Sequence, residues 1–291
     1  MKKINIILIV VAIFVFSTLF FVLDEKGNSG TFLEESQEEV KDNGEKQTEN
    51  SKEEESNVDP EKERGDRKEI VLGKVAIVID DLGYDPELNN KIEAIDAPLT
   101  LAILPFLSDT GTAIDRFKNK EARELILHLP LQPISEDVWE EKMAMVDMSQ
   151  EEIAAFLSEA LDEMKGEVKG LNNHKGSKFT SDPLSMRWLL EEIKERDLFF
   201  VDSRTLGQSV GYSLAQEMDI KTAERDIFLD VKDDPEEIRE KLKELEEMAK
   251  KEGQAIAIGH HKENTIQVLL EELPAMEERG IQFVTVSELL E

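Results

Sequence analysis

The residues of this 291-residue sequence that are most able to do chemistry share one position, at or just past the end of a run of apolar residues. Asp80 and Asp81 follow the run 75–79, and other candidates end later runs: His128, His174, Asp202, His260 and His261. Two adjacent carboxylates repel each other unless a cation or a shared proton compensates their charge. Imidazole and carboxylate are ligand types with which proteins bind zinc and related cations. The pattern therefore predicts a divalent-metal site.

Composition narrows the chemistry that such a site can use. The chain has no cysteine, which excludes disulfides, thiolate zinc sites and cysteine nucleophiles. A transition-metal site must therefore use histidine and carboxylate ligands. The 35 basic and 65 acidic residues give a formal net charge of −30, whereas binding of nucleic-acid phosphates needs a basic face. Nucleic acid is accordingly not an expected partner.

Taken singly, each of these residues also fits a structural role. Adjacent aspartates are common in turns and helix caps, and His128 fits a hydrogen-bonded core histidine. Asp202 is equally able to cap a helix or to pair with Arg204. Of the adjacent histidines, His260 and His261, one is expected to be a bystander because consecutive side chains point in different directions. The position that all the candidates share at strand ends is what predicts a ligand site.

The elements that must position these residues follow from the alternation of apolar runs with amphipathic segments. Strands are predicted at 75–79, 99–104, 124–129, 168–171, 198–201, 255–258 and 282–286. Helix starts are indicated by Asp-Pro pairs at 85–86, 182–183 and 234–235, and by the capping box of Ser149 and Glu152. Strands alternating with helices imply right-handed crossovers and a mostly parallel sheet that is buried on both faces. The pattern predicts an α/β domain and leaves a barrel and a doubly wound sheet open.

The chain divides into three predicted parts. Residues 1–23 contain an apolar run of about 30 Å in helical form, preceded by Lys2 and Lys3, which indicates a membrane segment with its N-terminus inside. The bulky residues at its end favour a signal anchor over a cleaved signal peptide. Residues 24–73 are predicted to be an acidic disordered tether, with a helical stalk as the alternative. Residues 74–291 are predicted to be the folded domain, which we expect outside the cytoplasm.

Six segments of the folded part resemble the divergent branch of the polysaccharide deacetylase superfamily, and they occur in the same order. They are AIVIDDLG at 76–83, LILHLPLQP at 125–133, GLNNHKGS at 170–177, FFVDSRT at 199–205, RDIFLD at 225–230 and AIGH at 257–260. The resemblance implies a distorted, incomplete (β/α) barrel with mostly parallel strands. It therefore favours the barrel over the doubly wound sheet.

The resemblance also implies roles for particular residues. Asp80 corresponds to the general base, Asp81 to a metal ligand and His260 to the general acid. Well-studied relatives complete the metal site with a His-x-x-x-His pair, which this chain lacks, so His128 and His174 are the expected ligands. Residues expected to support the site or bind substrate are Asn173, Asp202 and Arg204. Zn²⁺ is the favoured cofactor, with nickel, cobalt and iron left open.

The function implied by the resemblance is metal-dependent hydrolysis of N-acetyl or O-acetyl groups on an extracytoplasmic glycan. The expected partner is an acetylated polysaccharide or cell-wall glycan, with membrane contact through the N-terminal segment. One alternative is a non-catalytic glycan-binding or envelope-scaffold protein with a degenerate site, which the missing histidine pair favours. A metal-dependent phosphoesterase is a second alternative, although the sequence shows no basic phosphate clamp.

Overall fold

The computed structural model describes residues 70–138 and 140–290, which fall within one compact unit, Arg64–Glu291. The predicted membrane segment and the predicted tether up to residue 69 lie outside the described residues. Within the described part, no helix is both long and apolar enough to span a bilayer.

Nine strands and eight α-helices alternate along the described chain. The strands are β1 (Gly73–Leu82), β2 (Leu99–Ile103), β3 (Arg123–Leu131), β4 (Gly170–Lys175), β5 (Phe199–Asp202), β6 (Thr222–Glu224), β7 (Ile227–Phe228), β8 (Gln254–His260) and β9 (Ile281–Val284). The helices are α1 (Asn89–Ala94), α2 (Thr110–Phe117), α3 (Gln150–Glu163), α4 (Pro183–Glu195), α5 (Gly211–Glu217), α6 (Pro235–Glu252), α7 (Glu263–Glu278) and α8 (Val286–Leu289).

The strands form one sheet in the order β6-β5-β4-β3-β2-β1-β8-β7, and every pairing in it is parallel. β9 pairs with residues 73–76 at the start of β1, whereas β2 pairs with the later part of β1. Two consecutive residues reach across from one end of the sheet to the other. Arg225 N donates to Asp202 O, and Asp226 N donates to Ile256 O, each at 3.0 Å. The sheet is therefore curled into an incomplete barrel, as predicted.

Alternate residues of the strands face the inside of the curl and form its apolar interior. This interior cluster is Ala76, Val78, Ala102, Ile126, Phe199, Val201, Ile256, Ile258 and Val286. The intervening residues face outward and pack beneath the helices in a larger cluster that includes Ile77, Ile79, Leu101, Leu127 and Phe200. Because side chains alternate with a period of two, the residues that continue the inward-facing series past the apolar layer mark where a site can form.

The end of the interior opposite the carboxyl ends of the strands is covered by α8. Val286 N donates to Thr100 Oγ1 at 3.0 Å, and Ser287 N donates to Glu124 Oε1 at 3.1 Å. Thr100 Oγ1 in turn donates to the same oxygen of Glu124 at 3.0 Å. Two buried polar side chains thus satisfy N–H groups at the start of a helix, which have no partners within the helix itself.

Three of the four predicted helix starts are confirmed. Ser149 and Glu152 form a capping box on α3, Asp182 and Asp234 cap α4 and α6, and α6 ends at Gly253. Gly253 has a φ of 89°, a left-handed conformation that glycine adopts without strain.

Several predicted boundaries differ from the structure. The strand predicted at 168–171 is β4 at Gly170–Lys175, so that His174 lies within the strand rather than after it. No helix starts at Pro86, because Asp85 Oδ1 accepts the N–H of Glu87 and makes a turn, and α1 begins only at Asn89. The last strand ends at Val284 rather than continuing to residue 286. Thr285 and Glu288 form a capping box there, so that the chain turns into α8.

We expect Glu124→Ala to destabilise the domain by about 1–3 kcal/mol, because it leaves the buried Thr100 hydroxyl and Ser287 N–H without their acceptor. Urea unfolding followed by circular dichroism measures the change. The exposed residue Glu121, just before β3, provides the matched control, and Glu121→Ala should stay within about 0.5 kcal/mol of the parent. Equal stabilities for the two variants would contradict the assigned role of Glu124.

Candidate metal centre

The carboxyl end of β1 brings two consecutive aspartates to the inside of the barrel. Asp80 continues the inward-facing series after Val78, so regular alternation would turn Asp81 to the outer face. The pairing of β1 with β2 shifts register between Ile79 and Leu82, and Asp81 has a φ of 67°. This left-handed residue in an irregular strand end turns the Asp81 carboxylate inward beside Asp80.

Three side chains from three strands bring one atom each to a common point. Asp81 Oδ1 lies 3.2 Å from His128 Nε2 and 3.0 Å from His174 Nδ1. The two imidazole nitrogens are 3.1 Å apart. His128 and His174 are both buried, and Asp81 is half-buried. The structure therefore assembles the three residues that the sequence nominated as metal ligands into a small triangle of donor atoms.

The triangle fits a divalent metal ion by two tests. A tetrahedral ion with bonds of about 2.0 Å to nitrogen and oxygen holds its ligands roughly 3.3 Å apart, close to the separations found here. In addition, Asp81 Oδ1 is buried and has no partner of good hydrogen-bond geometry among the described residues, despite the two nitrogens at short distance. An oxygen and two nitrogens in this arrangement can share a cation better than they can hydrogen-bond to one another.

The outer atom of each imidazole contacts a group that fixes its tautomer. Asn172 Nδ2 donates to Asp80 Oδ1 at 2.8 Å, which directs Asn172 Oδ1 to His128 Nδ1 at 2.7 Å. His128 therefore carries its hydrogen on Nδ1 and keeps the Nε2 lone pair for a metal. His174 Nε2 lies 3.2 Å from Glu140 Oε1, an acceptor, so His174 keeps the lone pair of Nδ1. Both free lone pairs belong to the atoms of the triangle.

The electrostatics of the cluster favour positive charge at its centre. Burial opposes ionisation of Asp81, but the imidazoles of His128 and His174 outweigh it and hold the pKa of that carboxyl well below its usual range. Burial also opposes the charged form of His128, yet Asp80 and Asp81 raise the pKa of its imidazole. The pKa of Asp80 is raised by burial and by the Asp81 charge beside it. Asp80 is thus the carboxylate of the pair that takes up a proton more readily.

His260, at the end of β8, stands on the other side of Asp81. Its Nε2 is 3.9 Å from Asp81 Oδ2, and its Nδ1 is 2.9 Å from Asp230 Oδ1. Asp230 is buried and is itself held by Thr265 Oγ1 and by the backbone N–H of His260. Burial lowers the pKa of His260, but Asp230, Asp81 and Asp80 outweigh it and raise that pKa. The imidazole thus has Asp230 on its outer nitrogen and turns its inner nitrogen to the metal centre.

These contacts require the sheet to curl. Two strands lie between β1 and β4, so in a flat sheet the strands would be roughly 14 Å apart, at about 4.8 Å per spacing. Yet Asp80 on β1 bonds directly to Asn172 on β4, and Asp81 lies 3.0 Å from His174. The inside of the curl is the only place where these side chains can meet.

Three predicted supporting residues lie outside this cluster. Asp202 faces the outer side of β5, where its carboxylate accepts from Arg204 N, Ser209 Oγ and Tyr212 N. Asn173 faces outward on β4 and ties Ser203 N to Lys175 O. The side chain of Arg204 pairs with Glu224 on β6 rather than with Asp202.

These residues therefore brace the loops around the site. His261 is buried, and neither of its ring nitrogens has a hydrogen-bond partner in the described part of the chain. Burial lowers the pKa of His261. Its neighbour His260 is thus the member of the pair that reaches the cluster.

Sequence reasoning did not assign roles to three residues of the site. Asn172 could have been found from alternation, since it is two residues before His174 and must share its face. Asp230 ends a segment that resembles the family, but the sequence gives no sign that it meets His260. Glu140 lies in a long connection between β3 and α3, where no periodicity places a side chain. Its contact with His174 depends wholly on tertiary structure.

Comparison with known proteins gives a family and a fold. Residues 77–290 match the divergent polysaccharide deacetylase family. An uncharacterized protein of Haemophilus influenzae is 37% identical over 203 residues, which are 67% of this chain and 69% of that protein. The uncharacterized protein YibQ of Escherichia coli is 32% identical over 200 residues, 69% of this chain and 62% of that protein.

A solved structure supports the fold independently. The crystal structure of an uncharacterized protein of Agrobacterium tumefaciens superposes with a TM-score of 0.68 at 24% sequence identity, covering 75% of this chain and 89% of that chain. At this level of identity the likeness concerns the fold. The fold found here is thus shared with an experimentally determined structure.

We expect Asp81→Asn and His174→Ala to abolish stoichiometric binding of Zn²⁺, because each removes one of three donor atoms. Calorimetric titration of metal-stripped protein with Zn²⁺ measures the loss, and far-ultraviolet circular dichroism should show an unchanged fold. The exposed Asp96→Asn is the control for a lost negative charge and should bind like the parent. Tight one-to-one binding by Asp81→Asn would rule out the triangle as the metal site.

Proposed function

The chain belongs to the divergent polysaccharide deacetylase family, and from this we propose that it is a metal-dependent hydrolase that removes acetyl groups from an extracytoplasmic glycan. The acetyl group is N-linked in the principal form of the proposal and O-linked in the other. One observation carries the proposal. A base candidate, Asp80, and an acid candidate, His260, flank the same Asp81–His128–His174 triangle from different sides.

The triangle provides the ligands for the metal, with zinc favoured by its histidine and carboxylate donors. A divalent cation held there supplies Lewis-acid polarisation of the acetyl carbonyl and makes water more acidic. The residues of the chain supply the positioning and the proton transfers. Hydrolysis of an N-acetyl group needs one proton removed from water and one delivered to the departing nitrogen.

Asp80 is suited to remove the proton from the attacking water. Asn172 donates to its Oδ1, and its Oδ2 points toward His128 Nε2 at 3.6 Å, on the edge of the triangle. Burial and the neighbouring Asp81 raise the pKa of Asp80, which makes it a better proton acceptor than an ordinary aspartate. The fixed amide contact also keeps the acceptor oxygen oriented before substrate arrives.

His260 is suited to protonate the leaving amine. Its raised pKa favours the imidazolium, whose outer N–H is held by Asp230 while the inner N–H faces the site. As the oxygen of water bonds to the acetyl carbon and the C–N bond breaks, His260 gives its proton to the nitrogen. Acetate and a free amine result. Asp230 holds the ring in position as it loses the proton, as an orienting carboxylate does in other acid–base pairs.

A non-catalytic glycan-binding protein is the second candidate. It is favoured by the placement of the two histidine ligands on separate strands, β3 and β4, in place of a His-x-x-x-His pair. Such a protein would bind acetylated glycan without releasing acetate, and its binding would be indifferent to Asp80→Asn. The same assay therefore separates the two candidates.

We expect Asp80→Asn and His260→Ala to lower the rate of acetate release by about 10²–10⁴-fold, because each removes one proton transfer, while Zn²⁺ binding persists. The substrates are defined N-acetylated and O-acetylated glycan oligomers, assayed for acetate with zinc-loaded protein. Asp96→Asn again serves as the control and should keep the parent rate. Full activity of Asp80→Asn would refute the assigned mechanism, and binding without acetate release from any oligomer would favour the second candidate.

The proposed substrate requires export, which rests on residues 1–23. We expect the full-length protein to be cleaved by external protease in spheroplasts, because the lysines before the apolar run orient its N-terminus inside. A variant lacking residues 2–23 should be protected from the same protease. Protection of the full-length protein would place the domain in the cytoplasm and contradict this part of the proposal.

A further inference from the structure

The connection between β3 and α3, residues 132–149, is anchored at its base next to the metal centre. Gln132 O accepts from Lys178 N and Phe179 N, and Gln132 Oε1 accepts from Val146 N. Ile134 N donates to Ser177 Oγ at 2.9 Å. The connection is therefore fastened to the loop that follows β4, the strand that carries His174.

From this base the connection delivers Glu140 to the outer side of His174. Glu140 Oε1 lies 3.2 Å from His174 Nε2 and also accepts from Lys175 Nζ. Lys175 Nζ donates in addition to Val138 O at 2.9 Å, which links the same lysine to the connection a second time. One carboxylate oxygen thus joins His174, a proposed metal ligand, to the β3–α3 connection.

The backbone at Lys175 makes this double contact possible. Consecutive residues of a strand face opposite sides, so His174 and Lys175 would not meet the same carboxylate in a regular β4. Lys175 has a φ of 54°, in the left-handed region, and its side chain turns back toward Glu140. A surface ion pair alone stabilises little. Glu140 differs from an ordinary ion-pair partner because it also contacts the imidazole of His174, a proposed metal ligand.

We propose that Glu140 is a positioning residue for the metal centre, and that metal binding in turn holds the β3–α3 connection against the barrel. Glu140 fixes the His174 tautomer in which Nδ1 is free to bind metal. Coupling between two binding events is reciprocal, so whatever affinity the docked connection adds to metal binding, the metal adds to docking. The inference rests on the metal site of the proposed function and adds to it a control of that site by a surface segment.

The first test measures metal affinity without reference to any reaction. Glu140→Ala should weaken Zn²⁺ binding by about 10–100-fold, the usual effect of removing an outer partner of a metal-ligating histidine. Glu140→Gln loses the charge but keeps an oxygen that accepts from His174 Nε2, and it should bind within a few-fold of the parent. A role limited to the Lys175 ion pair would give the opposite result, with both variants equally impaired. The exposed neighbour Glu141 supplies the control, Glu141→Ala, with parent affinity expected.

The second test measures docking of the connection. Lys142 has a side chain that is 51% exposed, and tryptic cleavage after it reports opening of the connection. Saturating Zn²⁺ should slow that cleavage in the parent and in Glu141→Ala, by about the same factor as Glu140→Ala weakens Zn²⁺ binding. In Glu140→Ala itself, Zn²⁺ should leave the cleavage rate unchanged. Cleavage after Lys232, whose side chain is 71% exposed, serves as the internal control for trypsin itself.

The outcomes separate this inference from the proposed function. Equal Zn²⁺ affinity in Glu140→Ala and Glu141→Ala overturns the positioning role and leaves the deacetylase proposal standing. Zinc protection at Lys142 that persists in Glu140→Ala overturns the reciprocal docking. A parent protein that binds no divalent metal defeats both proposals. If Glu140→Ala does not fold, Glu140→Gln still decides the matter, because a loss of affinity equal to that of Lys175→Met would assign Glu140 to the ion pair alone.

Discussion

A regular β-strand sends consecutive side chains to opposite faces, and the metal centre depends on the departure of β1 from this rule at Asp81. The left-handed φ of 67° and the register shift beside it turn a second carboxylate to the inside of the barrel. Aspartate tolerates this conformation better than most residues, although strain of this kind is of order 1–3 kcal/mol. Without it, the interior would receive Asp80 alone, and the cluster would lack the carboxylate oxygen that faces both imidazoles.

The second requirement is that the outer ring nitrogen of His128, His174 and His260 has a defined partner. Asn172 and Glu140 take the outer hydrogens of His128 and His174, which leaves one lone pair on each ring for the metal. Asp230 accepts the outer hydrogen of His260, whose inner nitrogen faces the flank of the site. The acceptor behind each ring thus decides which of its two nitrogens faces the interior.

The curl of the sheet brings these parts together, and it depends on contacts outside the triangle of Asp81, His128 and His174. Arg225 and Asp226 join opposite ends of the sheet through consecutive N–H groups. At the amino ends of the strands, Glu124 and Thr100 hold α8 against the apolar interior. Were the sheet flat, Asp81 and His174 would be separated by the width of two intervening strands. Side chains that meet at about 3 Å would then lie beyond each other's reach.

The sequence by itself determined the class of fold, most element positions and the three side chains that meet as a candidate metal site, because these follow from local signals. Apolar runs mark buried strands, capping residues mark helix starts, and reactive side chains at strand ends of a parallel sheet share an edge. The sequence analysis did not recognise that Asn172, rather than Asn173, lies on the same face of the strand as His174. Alternation of side chains along a strand would have shown it. Only tertiary structure decided that Glu140 and Asp230 reach His174 and His260, since those contacts join segments at least 30 residues apart in the chain. Proximity of that kind depends on how the sheet curls and where a long connection is fastened, and neither has a periodic signature in the sequence.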